Sequence, residues 1–248
     1  MALAGSTNPS DHEPTWQVPA RLRLELLAWL SAAPQQPALM SYDEFLEWAD
    51  EDTLAEWVKG SVVMASPASL EHQDLALFLG SVLSAYVAAK DLGKIIVAPF
   101  QMKLPDSGRE PDVIYLAPEH MARLRQTYVD GPGDLVVEIV SPESQGRDRG
   151  DKFYEYQQGG VLEYWLLDPA DQRAEFYQRD EHGIYQQVAP DADGVYHARA
   201  LPGFWLKLSW LWQDPLPAVE DVVLSVAGQA YAHALIDRLR RKGFLDQP

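Results

Sequence analysis

A chain of 248 residues with no cysteine and a formal charge of −17 excludes a disulfide framework and a thiolate metal site. No apolar run has the length of a membrane span and the N-terminus shows no signal-peptide core, which points to a cytoplasmic protein. The acid excess argues against a high-affinity DNA binder that works through its whole surface, because polyanion binding draws on Lys and Arg to displace counterions. It leaves room for a local basic cleft.

Residues 1–19 are rich in Ser, Asn and Pro and read as a loose tail. Residues 21–30 alternate charge with Leu as a short amphipathic helix does, and Pro34 and Pro37 end it. Ser41-Tyr42-Asp43-Glu44 is a capping box for a helix to about Trp48. After the acidic break Asp50-Glu51-Asp52, residues 54–64 read as a strand, or a helix end running into one, with a turn at Lys59-Gly60. Ser66-Pro67-Ala68-Ser69 leads into a long helix over 71–90, where Leu75, Leu79, Val82 and Tyr86 recur at helical spacing.

Strands follow at 95–100, 101–104 and 111–116, with a turn at 105–108 and a helical stretch at 118–126. A turn at 130–133 opens the central strand 135–140. A helix over 148–158 is stopped by Gly159-Gly160, and strands 162–167, 174–178 and 184–188 come next. After Pro190 the chain turns loop-rich, with Trp205, Trp210 and Trp212 as an apolar cluster suited to anchoring the C-terminal segment or to a dimer contact. A last helix over 219–242 ends in Arg238-Leu239-Arg240-Arg241-Lys242, cations that suit a helix C-terminus. The pattern is α/β or α+β: a mixed sheet flanked by helices over 41–190, preceded by a tail and short helix at 1–40 and followed by a loop-rich and helical extension at 191–248.

Glu138 stands in the middle of the most apolar strand, Leu135-Val136-Val137-Glu138-Ile139-Val140. A carboxylate there is costly unless a cation, proton or donor compensates it. Asp112 opens another apolar strand, and Lys152 lies on the helix that follows Glu138. If the strands are neighbours, Asp112 and Glu138 converge on one divalent cation, with Lys152 beside it to orient or deprotonate a water or to neutralise phosphate charge. Each residue also has a plainer reading. Asp112 is then a turn residue, and Glu138 an ion-pair partner of Arg147, Arg149 or Lys152. Lys152 is a solvated helix lysine paired with Asp148 at i, i+4, and Glu56 a surface acid. His72 serves as a hydrogen-bond partner of the site or as a helix N-terminal residue. Arg147, Arg149 and Lys152 meet backbone phosphates or balance nearby acids. Tyr164 and Trp165 read as core.

The ordered set Pro111-Asp112, Val137-Glu138-Ile139-Val140-Ser141-Pro142, Lys152, Tyr156, Gly160 and Glu163-Tyr164-Trp165-Leu166-Leu167-Asp168-Pro169 resembles the Uma-type domain family. These are restriction-endonuclease-like members of the PD-(D/E)XK nuclease superfamily. The resemblance covers roughly residues 41–188 and takes in Glu44-Phe45, Glu56, Gly60, Ser66-Pro67 and His72. It implies a restriction endonuclease-like mixed central β-sheet flanked by helices, Asp112 and Glu138 as ligands of Mg²⁺ (or Mn²⁺), and DNA as substrate; a homodimer follows by analogy alone. The superfamily's Glu-x-Lys is broken here by Val140, and the resemblance moves the lysine role to Lys152. Glu56 matches an accessory acid carried on an early helix, as a third ligand or a water-positioning group. The expected function is a Mg²⁺-dependent endonuclease. Its competitors are a nuclease-fold binding or assembly protein with little turnover and, less favoured, a nuclease acting on RNA or single strands.

Overall fold

The computed structural model describes residues 19, 21–23, 39–50 and 53–245. The chain divides into Met1–Pro37 and Ala38–Pro248. In the first unit the Arg23 N–H donates to the Pro19 carbonyl (3.0 Å); the rest of the expected tail and of the helix over 21–30 lies outside the described residues. Every element named below belongs to the second unit.

Helix α1 (Tyr42–Trp48) starts from the expected capping box: Ser41 Oγ accepts the Glu44 N–H and Glu44 Oε2 accepts the Ser41 N–H. Strands β1 (Ala55–Val58) and β2 (Ser61–Met64) form a hairpin, because Lys59 (φ 49°) and Gly60 (φ 90°) take the left-handed pair that a tight two-residue turn requires. Helix α2 (Leu70–Lys90) is capped by Ser69, which accepts the His72 N–H, and buries Leu75, Leu79, Val82 and Tyr86 as their spacing predicts.

Six strands make the main sheet, in the order β11-β10-β9-β8-β6-β3. They are β3 (Lys94–Val97), β6 (Val113–Leu116), β8 (Leu135–Ile139), β9 (Glu163–Asp168), β10 (Arg173–Arg179) and β11 (Tyr185–Gln187). Of these neighbours β8 and β9 alone run parallel. A parallel pair needs a crossover, and helices α3 (Gln145–Arg149) and α4 (Asp151–Gly159) supply it. A second sheet, in the order β2-β1-β5-β4-β7, adds β4 (Gln101–Lys103), β5 (Ser107–Arg109) and β7 (Tyr128–Asp130).

The structure departs from the sequence expectation at several joints. The turn expected at 105–108 ends early and Ser107 already enters β5. The helix expected over 118–126 is a 3-10 turn, Pro118–Arg123, after which the chain extends into β7. The helix over 148–158 is two helices broken at Gly150 (φ −112°, ψ −96°). The last helix is also two, α5 (Val219–Ala227) and α6 (Gln229–Arg241), split at Gly228, whose φ of 54° and ψ of −130° suit only glycine. The loop-rich stretch holds a hairpin, β12 (Val195–His197) and β13 (Trp205–Lys207).

Strand alternation gives the main sheet two apolar faces. Leu135, Val137 and Ile139 of β8 pack with α2, α5 and the 196–211 stretch, whereas Val136 and Val140 pack with Met102, Tyr156 and Tyr164. Glu138 projects with the second set. Trp205, Trp210 and Trp212 lie half-buried against the first core, with the rings of Trp205 and Trp210 5.2 Å apart, so they anchor the C-terminal segment. Among the described residues no helix is long and apolar enough to cross a membrane.

Glu163 ties this C-terminal stretch to the central sheet. It is fully buried on β9 and accepts hydrogen bonds from Trp165 Nε1 (2.7 Å), the Tyr196 hydroxyl (2.6 Å) and the backbone N–H groups of Arg199 and Ala200 (both 2.7 Å). Each buried donor left without a partner costs about 1–3 kcal/mol. Urea unfolding of Glu163→Ala is expected to show a loss of at least about 3 kcal/mol, with a smaller loss for Glu163→Gln. An unchanged midpoint for the alanine variant would remove Glu163 as the tie.

Candidate functional site

Antiparallel register brings the two expected acids together. Val113 of β6 pairs with Val137 of β8, and one step further sets Asp112 opposite Glu138, where paired residues project to the same side of the sheet. Asp112 is pinned there because its Oδ2 accepts the N–H of Ile139 (2.7 Å). The crossover then delivers the cation. Lys152 in the first turn of α4 and Tyr156 one turn later face the sheet, and Lys152 Nζ donates to Glu138 Oε2 (2.9 Å) while the Tyr156 hydroxyl donates to Oε1 (2.6 Å).

Glu56 arrives from the second sheet. It sits on β1, which corrects the expectation of an early helix: the left-handed turn at Lys59-Gly60 commits the segment to a hairpin. Its Oε1 lies 3.2 Å from Lys152 Nζ and its Oε2 accepts from Arg109 (2.9 Å). Asp148 on α3 completes the surround, with Oδ1 at 3.4 Å from Nζ. Lys152 is therefore not a solvated helix lysine. It keeps the expected Asp148 pairing, but its side chain is 7% exposed and meets three carboxylates. Asp112, Glu138, Lys152 and Glu56 all line one cleft of about 970 Å³.

Both readings of His72 hold. Its backbone is part of the α2 cap, and its Nε2 lies 3.4 Å from Asp112 Oδ1. The expected basic group divides: Arg149 pairs with Asp168 (3.0 Å) and Glu175 (2.9 Å), Lys152 serves the acids, and Arg147 lines the cleft with no ion pair among the described residues. Tyr164 and Trp165 are fully buried core.

Arg109 is the residue that sequence reasoning missed. It is fully buried, and it clamps Glu155 through Nε (2.8 Å) and a terminal nitrogen (2.9 Å) while holding Glu56. The available signal was Arg109-Glu110 directly before Pro111-Asp112, between the expected turn at 105–108 and the strand from 111; the pairing of β5 with β1 is what sets Arg109 beside Glu56.

The electrostatics follow from one ammonium shared among several acids. Burial works against the charge on Lys152, but Glu138, Glu56 and Asp148 outweigh it and raise its pKa. Glu138 shifts the other way from an ordinary paired acid: burial pushes it up to about 8, against the pull of Lys152, and the neighbouring Asp148, Asp112 and Glu56 add to the rise. Lys152 has three carboxylates to itself and stays charged, while Glu138 shares one cation with two other acids and is the acid that gives way. Burial also penalises Glu56, yet Lys152 and Arg109 hold it below its usual range.

The family model for Uma2, described as "Putative restriction endonuclease", matches residues 42–209, from α1 past β13. A curated Synechocystis protein, "Uncharacterized protein sll1609", is 27% identical over 146 residues, which cover 57% of this chain and 81% of that protein. A crystal structure from Anabaena variabilis, described as "a putative nuclease belonging to DUF820", superposes with a TM-score of 0.59 at 16% identity. It covers 70% of this chain and 97% of the other, and at that identity the likeness establishes a shared fold. With 42–209 of its 248 residues matched by the family model, the chain belongs to the Uma2 family.

Proposed function

We propose that the protein is a Mg²⁺- or Mn²⁺-dependent endonuclease that hydrolyses phosphodiester bonds in DNA. The observation that carries the reading is the convergence of Asp112 and Glu138, from separate strands, on one cleft with the Lys152 ammonium against Glu138.

The residues fit such a cation. Asp148, Asp112 and Glu56 crowd Glu138, and among the described residues neither Asp148 oxygen receives a hydrogen bond. This local excess of acid is what a hard cation relieves. Among the described residues no group of three or more His, Asp or Glu side chains is placed to hold an ion alone. Two carboxylates, completed by water and substrate oxygens, match the preference of Mg²⁺ and Mn²⁺ and suit zinc poorly. When bound, the ion would offset phosphate charge and acidify a water.

In this reading Asp112 and Glu138 are the ligands. The Ile139 N–H orients the first, and the Tyr156 hydroxyl and Lys152 orient the second. Lys152 is held charged, so its part is to stabilise negative charge that builds on the phosphate, and deprotonating a water falls outside its reach. Glu56 has both oxygens engaged by Lys152, Arg109 and the Glu110 N–H, which makes it the group that aims Lys152.

With Mg²⁺ or Mn²⁺ and plasmid DNA, the wild type is expected to nick. Asp112→Asn and Glu138→Gln should each lower the rate by at least about 100-fold, and calorimetry should show loss of metal binding. Wild-type activity in either variant would remove the assignment. No metal binding at millimolar levels by the wild type would favour a nuclease-fold binding protein.

The raised Glu138 carboxyl also makes a stability prediction. A carboxyl whose folded pKa lies above its ordinary value of 4.5 opposes folding progressively as pH rises toward about 8, and costs nothing below its unfolded value. In EDTA, Glu138→Gln is expected to melt a few degrees above wild type at alkaline pH, with the gap closing toward about pH 5. A variant that melts lower at alkaline pH would show the ionised pair to be net stabilising.

A further inference from the structure

We propose that α6 is a DNA-binding element, and that Arg238 on it and Arg147 on α3 hold backbone phosphates of a single DNA strand lying in the cleft. The proposal deepens the nuclease reading and rests on it for the identity of the ligand.

The first observation is where the uncommitted cations are. Five carboxylates line the cleft, at Glu56, Glu110, Asp112, Glu138 and Glu143, so a phosphodiester entering it needs compensation. Among the described residues the Lys and Arg side chains on its walls are Arg147, Lys152 and Arg238. Lys152 is taken up by acids. Among the described residues Arg147 and Arg238 have no carboxylate partner, and Arg147 Nε is buried with no hydrogen-bond partner. Elsewhere Arg109, Arg125, Arg149, Arg173 and Arg240 each have a carboxylate partner. Arg123, Arg179 and Arg199 also lack a carboxylate and donate to backbone carbonyls instead, so what sets Arg147 and Arg238 apart is their place on the cleft wall.

The second observation is the build of α6. Tyr231, Ala234, Leu235 and Arg238 line the cleft at helical spacing, so one face of the helix is a cleft wall. Arg241 and Lys242 continue that face by one turn. No residue of the helix is fully buried; on this face Tyr231, Ala234 and Leu235 are half-buried and Arg238 is exposed at the end. The helix lies beyond the residues shared with the family, 42–209, and adds a wall to the common core.

The third observation selects the form of the DNA. Leu54, Met64, Leu77 and Val97, between 48% and 70% exposed, stand on the same cleft and offer apolar surface. Bases present flat apolar faces only when unstacked from a duplex, and strand-binding grooves combine such surface with cations along the backbone. A volume of about 970 Å³ is at the top of the small-ligand range and takes a few nucleotides of one strand.

The test uses the full chain carrying Asp112→Asn and Glu138→Gln, which removes cleavage and much of the acid repulsion. Binding of a fluorescently labelled single-stranded DNA is followed by anisotropy in EDTA over a salt series. Arg147→Ala and Arg238→Ala are each expected to weaken binding about 3- to 10-fold and to reduce the slope of log K against log salt by about 0.7. Arg238→Lys should keep the slope, and Arg199→Ala, outside the cleft, should change nothing. No strand binding by the background protein, an unchanged slope in both alanine variants, or duplex or single-stranded RNA bound as tightly as the DNA strand would overturn the proposal. Metal-free binding is read separately from cleavage. A strand site that loses affinity with Arg238→Ala would therefore stand even if the wild type never cut DNA.

Discussion

The structure turns on a single ammonium group buried among three carboxylates. Lys152 reaches Glu138 on the main sheet, Glu56 on the second sheet and Asp148 on the preceding helix. An arrangement of this kind is weak evidence for stability, because desolvating four charges costs as much as their attraction returns. Its effect is on position. Three separate elements must approach one point before Lys152 has its full set of acids, so the cluster fixes how the sheets and the crossover meet. Arg109 repeats the principle one layer out, since it joins Glu56 on β1 to Glu155 on α4.

That position 140 is not a lysine has a packing explanation. Position 140 continues the face of β8 that carries Glu138, and a lysine there would lie on the same side of the same strand. In this chain Val140 is buried in the apolar cluster between sheet and α4. The space a strand lysine would need is occupied by core, and the amine enters from the opposite layer, on the helix that covers that core. The break at Gly150 allows it: α4 starts afresh there, and Lys152 and Tyr156 aim at Glu138 while Arg149, just before the break, pairs with Asp168 and Glu175.

Much of this was legible in the residues. The capping box at Ser41, the apolar stripe of α2, the strand around Glu138 and the place of the acids could be read, because each stands on a strong local signal: a side-chain cap, a 3.6-residue period, or a charge where apolar residues surround it. What escaped was set by long-range contact. Ser107-Gly108-Arg109 is a strand because β1 and β4 flank it, and nothing in three small or polar residues announces this. The 195–207 hairpin and the kink at Gly228 are likewise products of docking onto the core. The chemistry of Lys152 was half visible: its pairing with Asp148 could be read from spacing, while its burial against Glu138 and Glu56 depends on how the layers stack.

The split origin of the cluster has a consequence for a chain as it is being made. Glu56, Asp112 and Glu138 emerge well before Lys152, and until α4 settles across the sheet they have no amine among them. Glu56 then has Arg109 and Asp112 has His72 and the Ile139 N–H, but Glu138 still lacks its ammonium. The acids of the cleft are thus laid down first, and the charge that balances Glu138 is added by the helix that crosses over them.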